Sequence, residues 1–165
     1  MKTFEFRREQ WVPRPIDEVF AFFSDPTNLE RITPPWLSFR ILSSPSQPIQ
    51  PGALITYRLR LHGLPIRWVT EITEWSPPTR FVDVQLSGPY ALWHHTHEFE
   101  SRDSGTLLRD TVRYGLPLGP IGGLVSRLFV RRDVEKIFDY RAETIRSLFG
   151  HQPGSTAPVP AGPLH

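Results

Sequence analysis

Residues Gly88 to Tyr114 read GPYALWHHTHEFESRDSGTLLRDTVRY, two alternating runs around a tight turn at Asp103, Ser104 and Gly105. Period-2 alternation puts Trp93, His95, His97 and Phe99 on one face of the first run. It puts Leu108, Asp110, Val112 and Tyr114 on one face of the second. These faces carry the large apolar residues, so they are expected to point inward. His95, His97 and Asp110 then lie on an otherwise apolar surface, and His94 is expected to face outward and be exposed. Ionisable groups are costly to bury unless they pair or meet another polar group. The stretch therefore predicts an antiparallel pair of strands with a polar cluster on its inner face.

Working outward, the segment before it continues the same pattern. Arg80 to Leu86, Ile66 to Trp75 and Ala53 to His62 each alternate as strands, separated by Gly88-Pro89, by Ser76-Pro77-Pro78 and by Gly63. In Ala53 to His62 the apolar face holds Ile55, Tyr57, Leu59 and Leu61. Trp36 to Leu42 is expected to be a further strand. Near the start, Thr3 to Val12 alternates Phe4 and Phe6 against Glu5 and Arg7. Pro13 and Pro15 end it, and Pro15 with Asp17 and Glu18 suits the first turn of a helix. Ile16, Val19, Phe20 and Phe23 give that helix its apolar face. A second short helix is expected from Pro26 to Ile32, stopped by Thr33-Pro34-Pro35.

After a Gly/Pro linker at Gly115 to Gly123 comes the longest helical pattern. Val130, Val134, Ile137, Phe138, Ile145, Leu148 and Phe149 share one face, with charged residues opposite. The earlier stripe of Ile121, Leu124, Val125 and Leu128 is rotated against it, which predicts a bend or break near Phe129 to Arg132. Residues 1–150 read as one domain and residues 151–165, rich in Pro and Gly, as a disordered tail. The order predicts an α+β domain. A long antiparallel meander curls around one C-terminal helix, and two short helices follow the first strand. One helix cannot close the whole concave face, and the remaining gap either fills with side chains or stays a cavity, the default place for a small-molecule site.

Bulk composition narrows the partners. The 165 residues are 39% hydrophobic and 22% charged, with a formal charge of only +2, so no nucleic-acid partner is expected. The absence of cysteine excludes disulfides, thiolate metal sites and cysteine nucleophiles. No apolar run reaches the roughly 18 residues of a transmembrane helix, and the N-terminus lacks a signal peptide's apolar core. A cytoplasmic protein without stable membrane insertion is expected. No feature of the pattern specifies an oligomeric state.

The order of elements resembles the helix-grip fold of the START/Bet v 1-like (SRPBCC) superfamily, its polyketide cyclase/dehydrase and lipid-transport group. The resemblance covers about residues 3–149. It is carried by WVPRPIDEVFAFFSDPTNLERITPPW (Trp11 to Trp36), by WSPPTRFVD (Trp75 to Asp83), by GPYALWHHTHEF (Gly88 to Phe99) and by DTVRYGLP (Asp110 to Pro117). The middle segments are similar to a bacterial ligand-binding subgroup. The resemblance implies a hydrophobic cavity for a small or lipid-like molecule. It brings no catalytic motif to particular residues of this chain.

The candidate site residues follow from the inner faces. Tyr57, Trp68, Phe81 and Trp93 supply aromatic wall, and Thr70, Asp83, Gln85, His95, His97, Asp110 and Arg141 supply polar groups. Arg141 lies in the middle of the apolar stripe of the last helix, where an unpaired guanidinium is costly. It can pair with Asp110 or Asp83, anchor a ligand carboxylate or carbonyl, or extend to solvent. His95 and His97 project together at about 7 Å spacing. A metal site needs a third ligand, for which Asp110 or Asp83 is available, but no second histidine pair completes one, so no resident metal ion or cofactor is expected. Binding of a hydrophobic ligand is the leading reading. A cyclase or dehydratase using a His–Asp pair is the alternative. Trp36 is a candidate gate at the cavity mouth.

Overall fold

The computed structural model describes residues 3–45, 48–116 and 124–150. Seven strands form one antiparallel sheet: β1 (Thr3–Val12), β2 (Arg40–Ser43), β3 (Leu54–Leu61), β4 (Leu64–Ser76), β5 (Arg80–Ser87), β6 (Leu92–Arg102) and β7 (Gly105–Gly115). Their order is β1-β7-β6-β5-β4-β3-β2. Consecutive strands from β2 to β7 are therefore neighbours, and β1 closes the series by pairing with β7 along its whole length, from Thr3↔Gly115 to Val12↔Thr106. The helices are α1 (Ile16–Ser24), α2 (Leu29–Ile32) and the long α3 (Leu124–Phe149). Among the described residues no helix is long and apolar enough to cross a membrane.

Local chemistry explains the helical segment between β1 and β2. Pro15 precedes the first turn of α1, Asp17 and Glu18 stand at its positive end, and Val19 and Phe20 are buried. Phe20 packs on Trp75, Phe81 and Phe99, with ring centroids 5.3, 5.9 and 5.2 Å away. This contact fastens α1 to one end of the sheet. The Asp25 carboxylate then accepts from the Thr27 backbone N–H at 2.9 Å, opening a single 3-10 turn that leads into α2.

The inner face of β1 grips α3 with polar side chains. Arg8 donates to the Phe138 carbonyl at 3.4 Å and pairs with the Asp139 carboxylate. Gln10 Nε2 donates to the Ala142 carbonyl at 2.8 Å. Val134, Phe138, Ile145 and Phe149 of α3 are buried against the concave face. Burying them stabilises the helix by roughly 1.5–3 kcal/mol for each full side chain.

The structure corrects several expectations. The strand expected at Trp36 to Leu42 is only Arg40–Ser43, because Pro35–Leu37 forms a 3-10 turn and Ser38 adopts φ 47°. No break interrupts α3 near Phe129 to Arg132. The early stripe need not rotate inward, since Leu128 and Phe129 are exposed. Leu148 is also exposed rather than part of the buried face. His94 is half-buried, and its Nδ1 is enclosed without a hydrogen-bond partner among the described residues. A bulge between Ile72 and Glu74 shifts the phase of β4. Trp75 thereby joins the same side as Ile72 and lies opposite Phe81. The expected tail, 151–165, and most of the expected linker, 117–123, lie outside the described residues.

Candidate functional site

The sheet, α1, α2 and α3 line a cavity of about 170 Å³ that is partly open to solvent. Its walls are mainly apolar: Phe22, Leu29 and Ile32 from the first helices, Ile55 and Leu59 from β3, and Ile137 and Phe138 from α3. Of the candidate residues, Tyr57, Trp68, Thr70, Phe81, Asp83, Trp93, His95, His97 and Arg141 line it. Two candidates do not. Gln85 is used up by the turn before β6, where it donates from Nε2 to the Tyr90 carbonyl (2.7 Å) and accepts from the Tyr90 N–H (3.3 Å). A Cβ at Gly88 would fall 2.5 Å from the Gln85 amide oxygen, so the turn is built around that side chain. Asp110 stands behind the histidines, away from the cavity wall. Trp36 is exposed and lies edge-on to Tyr140. It lines, with His62 and Asp133, a surface cleft that adjoins the main cavity through Leu37, Leu61 and Ile137.

One wall of the cavity is aromatic and lightly polar. Trp68 stacks on Tyr57 with centroids 5.7 Å apart and meets Trp93 edge-on at 5.3 Å. Trp68 Nε1 donates to Thr70 Oγ1 at 3.1 Å, and the Tyr57 hydroxyl lies 3.3 Å from the same oxygen. Thr70 thus satisfies two buried polar groups. Burial raises the Tyr57 hydroxyl pKa above its ordinary value, so the phenol stays neutral.

The charged cluster adjoins this aromatic wall, with His95 edge-on to Trp93 at 6.5 Å. Sheet register sets its geometry: Asp83 is opposite His95, Phe81 opposite His97, and His97 opposite Asp110. The shortest bonds run diagonally. His95 Nε2 is 2.8 Å from Asp110 Oδ1, and His97 Nε2 is 2.7 Å from Asp83 Oδ2. His97 Nδ1 is 3.1 Å from Asp110 Oδ1, and His95 Nδ1 is 3.6 Å from Asp83 Oδ2. The two imidazoles lie against each other, centroids 3.7 Å apart, and Phe81 stacks on the far side of His97 at 4.0 Å. Both histidines are 5% exposed, so these carboxylates are their main electrostatic partners.

The protonation states follow from this packing. Both His97 nitrogens face carboxylates. Burial disfavours its charge, but the Asp110 and Asp83 bonds outweigh burial and raise its pKa above the ordinary value. For His95, burial and the neighbouring His97 charge win over the carboxylates and lower its pKa. Burial also pushes the Asp110 carboxyl up. The Arg141 charge and the two imidazoles more than reverse that, holding it well below the carboxylate range. Burial raises Asp83 in the same way, and His95 and His97 outweigh it, so that this carboxyl too is lowered.

Arg141 completes the cluster without joining its bonds. Its guanidinium sits over the rings of Phe23 (5.3 Å) and Phe138 (5.6 Å). Its Nε is enclosed and has no hydrogen-bond partner among the described residues. The ion pair that the sequence offered it, with Asp110 or Asp83, does not form, because the histidines already hold both carboxylates. Sequence reasoning missed Arg8 and Gln10. Their inward places on β1 follow from the same alternation as Phe4 and Phe6, and that phase was the available signal.

Comparison with known proteins agrees with this architecture. The family model described as polyketide cyclase / dehydrase and lipid transport matches residues 3–150. A search of curated protein sequences finds no match. Among solved structures, the protein TTHA0849 of Thermus thermophilus superposes with a TM-score of 0.63 at 22% identity, covering 88% of this chain and 99% of that one. The Zhui aromatase/cyclase of Streptomyces sp. R1128 gives 0.63 at 15% identity, with 89% and 96% covered. The ginseng major latex-like protein 151 of Panax ginseng gives 0.62 at 12% identity, with 89% and 97% covered. At these identities the likeness is one of fold.

Proposed function

The chain belongs to the polyketide cyclase/dehydrase and lipid-transport family, and from that premise we propose that it binds, and carries, a small and mainly apolar molecule in the cavity. The molecule's carboxylate or carbonyl end docks on Arg141. The observation that carries this reading is Arg141 at the wall of an apolar cavity, with its Nε enclosed and without a hydrogen-bond partner among the described residues. A guanidinium among apolar walls is costly to leave unpaired, and a ligand carboxylate or carbonyl that reaches its terminal nitrogens would pair it. Trp68, Trp93 and Tyr57 offer flat surfaces to a ring along the aromatic wall. At about 170 Å³ the cavity compares with the roughly 150 Å³ that accepts a benzene ring, and it is smaller than the roughly 300–1,000 Å³ of drug-sized sites. The favoured occupant is therefore a one- or two-ring acid or ketone, or the head of a longer chain.

Native mass spectrometry of protein purified from its own host is expected to show a co-purified small molecule of this kind. Calorimetry with 2-naphthoate and with naphthalene tests the polar end. The acid should bind more tightly, and Arg141→Met should remove roughly 10- to 100-fold of its affinity while leaving naphthalene unchanged. Equal affinities for the two probes, unaltered by the substitution, would refute the reading.

A second reading rests on the His95–Asp110 contact. With Nε2–H donating to Asp110, Nδ1 is left as the basic nitrogen beside Asp83 at the cavity wall, the His–Asp pair that acid–base chemistry uses. The name of the Streptomyces relative, an aromatase/cyclase, points the same way. In that case His95→Gln abolishes turnover of a poly-ketone substrate. In a carrier it only shifts affinity.

A further inference from the structure

We propose that Asp83, His95 and His97 form a binding site for a divalent transition-metal ion, supported from behind by Asp110. A single oxygen, Asp110 Oδ1, accepts from His95 Nε2–H at 2.8 Å and lies 3.1 Å from His97 Nδ1. A metal site needs His95 Nδ1 and His97 Nε2 deprotonated, so the His97 Nε2 proton, bonded to Asp83 at 2.7 Å, is released when an ion binds. A carboxylate behind each ligating imidazole orients the ring and raises its basicity. The opposite nitrogens, His95 Nδ1 and His97 Nε2, both turn toward Asp83 Oδ2. The three ligand atoms lie within 4.8 Å of one another.

Distances fit an ion after a small adjustment. Four-coordinate zinc, with bonds of about 2.0–2.1 Å, spaces its ligand atoms about 3.4 Å apart. The 3.6 Å between His95 Nδ1 and Asp83 Oδ2 is already close to that. The 2.7 Å between His97 Nε2 and Asp83 Oδ2 must open, which a rotation of the Asp83 carboxylate supplies. As it stands, a neutral His95 in that tautomer aims its Nδ1 lone pair at a carboxylate oxygen with nothing between them. An ion joins the facing lone pairs in one centre. Its open positions point into the cavity, because Asp83, His95 and His97 line the wall and Asp110 does not.

Charge and ligand type narrow the ion. Two carboxylates against the Arg141 guanidinium leave one negative charge when both imidazoles are neutral. Arg141 opposes the ion and sets a ceiling on affinity. Two imidazoles and one carboxylate suit zinc, cobalt or iron(II) rather than magnesium or calcium. The sequence pattern gave two histidines without an assigned third ligand. The register that sets Asp83 opposite His95 supplies it. This inference stands apart from the ligand proposal. It also competes with the acid–base reading, because an ion occupies the His95 lone pair that proton transfer requires.

The test titrates Zn²⁺ and Co²⁺ into the full chain without an affinity tag, first stripped with chelator. Expected are one equivalent bound by calorimetry and visible cobalt bands of a nitrogen/oxygen site. Asp83→Asn should weaken binding at least 100-fold and Asp110→Asn roughly 10- to 100-fold. His62→Gln, at the surface pair His62–Asp133, should leave it unchanged. Paramagnetic Co²⁺ should broaden the ring signals of His95 and His97 in the wild-type protein, which keeps the test decisive if a variant fails to fold. No stoichiometric uptake, or uptake lost with His62→Gln and broadening confined to His62, would overturn the proposal.

Discussion

Asp110→Asn isolates the electrostatics of the buried cluster. The side chain is 16% exposed, accepts from His95 Nε2–H at 2.8 Å and lies 3.1 Å from His97 Nδ1. Asparagine keeps the shape and one acceptor oxygen, but it removes the charge that balances His97 and Arg141. Its amide nitrogen also adds a donor where donors already converge. Removing one partner of a buried charge pair costs about 3–5 kcal/mol. The retained acceptor places this case near the lower end, about 3 kcal/mol. For a chain of this length that lowers the unfolding midpoint by roughly 6–12 °C. The loss should depend on pH with a definite sign. The Asp110 pKa is depressed in the folded protein. Its stabilisation is therefore present above the unfolded value of about 3.9 and is lost as pH falls through the folded value. Urea unfolding of chelator-treated wild type and variant, followed by circular dichroism, should show the full difference at pH 7. That difference should shrink steadily below about pH 4. A difference under about 1 kcal/mol at pH 7, or one that is constant into acid, would mean that Asp110 acts by shape alone and that the electrostatic account is wrong.

Three further substitutions test the frame that positions the cluster. Gly105→Ala should destabilise by about 1–3 kcal/mol in thermal melts, because a Cβ there would lie 2.4 Å from the Val12 carbonyl oxygen and 2.5 Å from the Trp11 ring. Gln10→Ala removes the bond to the Ala142 carbonyl and should cost about 1 kcal/mol, with faster amide exchange in the second half of α3 than in β6. Thr106→Val keeps the volume of a fully buried side chain but strands the Arg14 carbonyl it bonds at 2.8 Å; a loss of about 1–2 kcal/mol in chemical denaturation is expected.

Alternation along the chain was sufficient to place Trp93, His95, His97 and Phe99 on one inner face and Asp110 on that of the next strand, because side chains of an extended backbone alternate regardless of what surrounds them. The same rule, with helical spacing at Val134, Phe138 and Ile145, determined the α+β architecture and the strand order of the meander. It failed where one local choice depends on distant atoms. The 3-10 turn at Pro35–Leu37 and the bulge between Ile72 and Glu74 change phase without a change in hydrophobic pattern. The unbroken α3 tolerates an exposed Leu128, which a stripe-based reading places on a buried face.

Which polar groups meet was decided only by tertiary structure. Sequence left Arg141 a choice of Asp83 or Asp110. Register gave both carboxylates to the histidines and left the guanidinium Nε without a hydrogen bond among the described residues. Gln85 shares the inner face of β5 with Asp83, yet the turn at Tyr90 takes both ends of its amide. Facing direction is a property of one strand and can be read from the chain. Partnership depends on distances of a few ångströms between strands and helices far apart in sequence, and only the folded sheet sets those.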